Sequence, residues 1–134
     1  MTHSQGELLD AFPAGATLPP YTVAVSPAAN ERYWRAAGVD HPALRAGALY
    51  PPLAANLVIL TIQQVESTAL LHARSRLVAH RRAEAPAELT VIASVADRYE
   101  RRGRGYVVIA ADITTSDDPE PIWTATNTFT AAGR

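Results

Sequence analysis

The chain has no cysteine among its 134 residues, so neither a disulfide framework nor a thiolate metal site can be built from it. Any metal would have to be held by histidines and carboxylates. Lysine is missing too: the twelve basic residues are all arginine. Against thirteen acids they leave a formal net charge of -1, without the basic excess that a general nucleic-acid binder carries. Long apolar runs are also lacking. The longest, residues 53–62, is interrupted by Asn56 and Thr61 and is about half the length a bilayer requires. Residues 1–16 mix His3, Glu7 and Asp10 with small residues and lack the basic start and apolar core of a secretory signal. The expectation is a soluble, cytoplasmic protein with no nucleic-acid or membrane partner.

What is present suffices for one domain, since a chain of this size buries roughly two thirds of the surface it exposes when unfolded. Residues 1–20 are rich in Gly, Ala and Pro and close on Pro19-Pro20, which reads as an arm over the surface; residues 21–134 read as a single domain. A strand-like run at 21–25 is followed by Ser26-Pro27, a hydroxyl cap with proline at the first helical position. That helix is expected to reach Ala37 and stop at Gly38, with Tyr33, Ala36 and Ala37 on one side and Asn30, Arg32 and Arg35 on the other.

A second helix is expected from Pro52 to about Val65, and its apolar residues occupy every side of the helical wheel, as in a helix enclosed by a sheet. The remainder reads as strands at 68–81, 89–100, 106–115 and 122–130, by alternation such as Leu89, Val91, Ala93 and Val95. Arg102-Gly103-Arg104-Gly105 and Ser116-Asp117-Asp118-Pro119 supply hairpin turns.

One long buried helix followed by an antiparallel meander is the layout of a hotdog fold, an α+β arrangement of about five or six strands wrapped around the helix. Leu71-His72-Ala73-Arg74-Ser75-Arg76-Leu77-Val78-Ala79-His80, Pro86-Ala87-Glu88-Leu89-Thr90-Val91 and the segment 95–109 resemble the strand, turn and hairpin of the MaoC-like hydratases and dehydratases of acyl thioesters. The resemblance covers residues 21–130. It implies a protein that acts on or binds an acyl thioester linked to coenzyme A or an acyl carrier protein, in fatty acid or polyketide metabolism. It also implies a homodimer, or a heterodimer with a related hotdog subunit, and no cofactor.

Residues 33–44 are similar to the segment in which these enzymes carry Asp, any residue, Asn, Pro, any residue, His. Aligned on Pro42, the catalytic Asp falls at Val39 and the catalytic His at Leu44, and neither valine nor leucine transfers a proton. The resemblance is therefore to a degenerate copy. It implies either a dehydratase- or hydratase-like lyase with rearranged chemistry, such as a biosynthetic cyclase, or a non-catalytic subunit that pairs with a catalytic one.

The candidate catalytic residues are Asn56 in the first turns of the buried helix, Tyr50 just before it, and His41 with Asp40 beside the vacated positions. Asn56 equally fits an amide that caps a loop carbonyl, and His41 a surface histidine. Arg74, Arg76, Arg81 and Arg82 are candidates for gripping the phosphates of coenzyme A or a phosphopantetheine arm, because a forked donor suits phosphate oxygens; the alternative is ordinary surface charge. His72 and His80 share the parity of Arg74 and Arg76 on one strand and read as a solvated face. No third ligand stands at a suitable spacing, so no metal site is expected.

Overall fold

The computed structural model describes residues 10–38, 41–42, 46–66 and 70–131. In chain order its elements are β1 (Tyr21–Val25), α1 (Pro27–Ala36), α2 (Leu53–Gln63), β2 (Leu70–Ala79), β3 (Ala87–Arg101), β4 (Arg104–Thr115) and β5 (Asp118–Ala131). The strands form one five-stranded antiparallel sheet in the order β1-β3-β4-β5-β2. Its inner face carries Leu89, Val91, Ala93 and Val95 of β3, Val107, Ile109 and Ile113 of β4, and Trp123, Ala125 and Phe129 of β5. Leu53, Leu57, Val58 and Ile62 of α2 fill the space against that face, with Val58 at 0% and Ile62 at 2% exposure. No helix among the described residues is long and apolar enough to cross a membrane.

α2 is not enclosed on every side within one chain. Asn56 and Leu60 stand on its exposed side, Leu60 at 39%. α1 begins as expected, with the Ser26 hydroxyl accepting from the Ala29 N–H at 3.1 Å and Gly38 closing the segment at φ +73°. Its buried face differs from the expectation: Asn30 and Trp34 are buried, whereas Tyr33, Ala36 and Ala37 are exposed. An amide that finds both its hydrogen bonds inside is as admissible in a core as an apolar group, and polarity alone assigned Asn30 to solvent.

The hairpins are tighter than the four-residue turns expected. Arg102 (φ 54°) and Gly103 (φ 75°) alone join β3 to β4, both in the left-handed region that a type I′ turn requires. Likewise β5 already begins at Asp118, which pairs with Thr115.

The arm is part of the structure rather than a cover. The Gly15 N–H donates to the Val95 carbonyl at 2.9 Å, Val95 N–H to Ala16 at 2.8 Å and Leu18 N–H to Ala93 at 2.9 Å, so the arm continues the β1 side of β3. Phe12 and Leu18 drop from it into the core.

β2 contains an irregularity that matters for the site. His72 pairs with Phe129 but the next pairing is Arg74 with Thr128, leaving Ala73 as an extra residue. Such a bulge reverses which face the following side chains take. Beyond it Ser75 opposes Asn127, Leu77 opposes Ala125 and Ala79 opposes Trp123, all on the inner face, while Arg74, Arg76 and Val78 lie on the outer one. His72, opposite Phe129, is inward with Ser75, and the expected shared face of His72 with Arg74 and Arg76 does not exist. Simple alternation has no means of anticipating an inserted residue.

Candidate functional site

The chain enters α2 through a strap, residues 46–50, held from both sides. From α1, Asn30 Nδ2 and Trp34 Nε1 each donate to the Ala48 carbonyl at 2.8 Å, and Asn30 Oδ1 accepts from the Tyr50 N–H at 3.0 Å. From the segment after β2, the Ala83 carbonyl accepts from Leu49 N–H at 2.9 Å and Ala85 N–H donates to Gly47 at 3.0 Å. Sequence reasoning missed Asn30 and Trp34 as the residues that place Tyr50. Their spacing of four was the available signal.

Trp34 is the centre of the site. Tyr50 meets it edge-on with ring centroids 5.0 Å apart, and His41 stacks on it at 5.9 Å and 19°. A cleft of about 380 Å³ opens here, bordered by Trp34, His41, Pro51, Ala79, Arg82 and Trp123. Its walls are largely apolar, with two tryptophans, and also carry His41, His80, Arg81 and Arg82, a mixture that suits a small-molecule site. His41 and Tyr50 are thus brought together at the start of α2. Asn56 lies further along the same helix on its exposed side. Asp40, like Val39 and Leu44, lies outside the described residues.

The four arginines do not converge. Arg74 and Arg76 project from the outer face of β2, while Arg81 and Arg82 border the cleft. Arg81 is committed: it donates to Asp118 Oδ2 at 2.6 Å and to the Glu120 carbonyl. The Glu120 N–H, donating to Asp118 Oδ1 at 2.9 Å, and secondarily Arg81, hold the Asp118 carboxyl below its ordinary range. Arg82 lies 3.5 Å from the Glu84 carboxylate and reaches the Ala46 carbonyl at 3.4 Å, both at the surface. His80, also on the cleft wall, has Nε2 2.9 Å from Thr124 Oγ1. Among the described residues no three His, Asp or Glu side chains are grouped to hold a metal.

A second polar group sits further along β2, on the inner face. Asn127 is fully buried, and its Oδ1 accepts from His72 Nε2 at 3.0 Å and from Ser75 Oγ at 2.7 Å. The His72 ring stacks on Phe129, centroids 4.9 Å apart. Asn127 Nδ2 is buried and has no hydrogen-bond partner among the described residues. An unsatisfied buried donor costs about 1–3 kcal/mol, so such a group needs a reason.

A five-stranded antiparallel sheet packed on the apolar helix α2 is the hotdog arrangement. The (3R)-hydroxyacyl-ACP dehydratase complex HadBC of Mycobacterium tuberculosis superposes with a TM-score of 0.73 at 21% identity, covering 88% of this chain and 96% of that one. The (R)-hydratase PhaJ1 of Pseudomonas aeruginosa does so with 0.74 at 14% identity, covering 99% and 88%. The ChsH1-ChsH2 complex of Mycobacterium tuberculosis gives 0.72 at 15% identity, covering 89% and 98%. At these identities the likeness establishes the fold, which is that of the MaoC-like hydratases and dehydratases. No family model and no curated protein matches the sequence.

Proposed function

We propose that this chain binds an acyl thioester, carried by coenzyme A or an acyl carrier protein, in the cleft at the start of α2, and that it works as one half of a hotdog pair. The observation that carries the reading is the cleft. Its apolar walls suit an acyl chain, Arg82 at the rim suits a phosphate, and His41 and Tyr50 flank the same indole.

The chemistry is dehydratase- or hydratase-like, on a hydroxyacyl or enoyl chain, with proton transfer left to Tyr50, His41 and Asp40, and hydrogen bonding to Asn56, because Val39 and Leu44 cannot perform it. Such a rearranged set also suits a cyclisation. A second reading, a non-catalytic subunit completing a catalytic hotdog partner, is favoured by the same Val39 and Leu44 and by Leu60 exposed on α2. Two of the similar structures are themselves named as complexes.

The test is enoyl-coenzyme A hydration by the purified chain, alone and mixed with a hotdog subunit that retains Asp and His. The chain alone should be slower than such an enzyme by about 100-fold to 10,000-fold or more, the contribution of one acid-base group. Any residual rate should fall on changing Asn56, Tyr50, His41 or Asp40 to Ala. Fast hydration untouched by all four substitutions would place the site elsewhere.

A further inference from the structure

We infer that the acyl group accepted by the cleft at the start of α2 is flat and unsaturated, an aromatic ring in place of a long saturated chain. The inference rests on the acyl-thioester reading above and adds to it the shape of the group that the thioester carries.

The walls of the cleft favour a ring. Among the described lining residues Leu49 is the one branched aliphatic, and at 3% exposure it shows almost nothing to the cleft. The remaining apolar surface comes from two indoles, a proline and alanines such as Ala79 and Ala83. A flexible chain loses rotamer freedom when it is bound, and needs walls that close around it at many points. Alanine Cβ atoms give few such contacts, whereas an indole offers a whole face or edge to a flat partner.

The indoles are also held still. Trp34 Nε1–H donates to the Ala48 carbonyl at 2.8 Å, Tyr50 meets the ring at 69° and His41 lies nearly parallel to it at 19°. Trp123 is anchored in the sheet between Ile113 of β4 and Ala79 of β2, so a large ring and a bare Cβ stand side by side on the inner face. A fixed ring recognises the orientation of another ring through an offset stack or an edge contact, and a saturated group of the same area gains neither.

Two further features agree. The described lining includes no residue of α2 and none of β5 beyond Trp123, so the space ends at that indole and does not follow the helix. A compact ring fits such a space better than an extended chain. No carboxylate is among the described lining residues, while Arg82 and His41 are, and a cation beside a π-face is an attractive contact.

The experiment measures binding of three coenzyme A thioesters of equal carbon number, phenylacetyl, cyclohexylacetyl and octanoyl, and of the matching free acids, by calorimetry. The wild-type chain should bind the phenylacetyl thioester about 3-fold to 10-fold more tightly than either saturated one, the scale of one aromatic pair beyond its buried area. Comparing the two rings separates unsaturation from shape, and it needs no variant to fold. Trp34→Phe should keep the preference and Trp34→Leu should remove it. Octanoyl- or cyclohexylacetyl-coenzyme A bound as tightly as the phenylacetyl thioester would overturn the inference and leave the acyl-thioester reading standing. A preference that Trp34→Leu leaves intact would place the ring elsewhere and overturn it as well. A phenyl preference among the free acids, with no gain in affinity from the thioester, would uphold the ring subsite and sink the acyl-thioester reading. No binding in either series would sink both.

Discussion

The two edges of the sheet are finished differently. On one side β1 is only five residues long, and beyond it the arm takes over, bonding residues 15, 16 and 18 to Val95 and Ala93 and burying Phe12 and Leu18. On the other side β2 runs for ten residues, with nearly every side chain exposed, among them Leu71 and Val78. A long edge with apolar residues is a template for another strand, and proteins that do not use such an edge shorten or cover it. Among the described residues the chain continues its first edge with residues 15–18 and covers the second with none. Under the proposed pairing, β2 is the edge that takes the second chain, and the polar group of His72, Ser75 and Asn127 lies beside it.

The largest expected effect comes from undoing the finished edge. Phe12→Ala removes a core aromatic supplied by the arm and should cost about 3–5 kcal/mol, seen as a lower urea midpoint. If the arm were only a surface cover, the midpoint would hardly move. Next is the strap beside the open edge. Asn30→Ala leaves the part-buried Tyr50 N–H and the Ala48 carbonyl each short of a partner and should cost about 1–3 kcal/mol, with the Tyr50 ring losing its fixed place against Trp34. Fluorescence of the tryptophans against denaturant reports both changes.

A smaller effect should follow at the bare edge. Leu71→Lys, a charge of the kind that discourages strand pairing, should weaken the pair about 10-fold without lowering the stability of the single chain. Sedimentation over a concentration series measures it. Smallest of all is the exposed contact of Arg81 with Asp118. The folded pKa of Asp118 is lowered, so its stabilisation is complete above the ordinary carboxylate range, about pH 4, and disappears as pH falls through the lowered value. Asp118→Asn should therefore lower the melting temperature slightly at neutral pH, flatten the acid side of its profile, and make no difference below the lowered value.

Much of this architecture was legible in the sequence because it rests on local rules. Ser26-Pro27 and Gly38 bound α1, and the alternation of Leu89 to Val95 gives the buried face of β3. The candidate site was legible only in part. His41 and Tyr50 stand out by their place before α2, but Trp34, which joins them, does not, and Asn30 was assigned to solvent. Both misses arise where a polar group is satisfied by distant backbone, which no local pattern contains. His72 is exposed, but the face it was expected to share with Arg74 and Arg76 is lost because one inserted residue, Ala73, inverts the parity.

The account turns on the claim that β2 is the joining edge, and hydrogen exchange of its backbone amides tests this most directly, with mass measured by light scattering on the same samples. The chain at micromolar concentration, alone or mixed with a related hotdog subunit, should have the mass of a pair. The β2 amides that do not bond to β5 should then be protected, and dilution below the pairing concentration should release them while β3 and β4 stay protected. A chain that remains monomeric under both conditions, with the outward amides of β2 exchanging freely throughout, would contradict it.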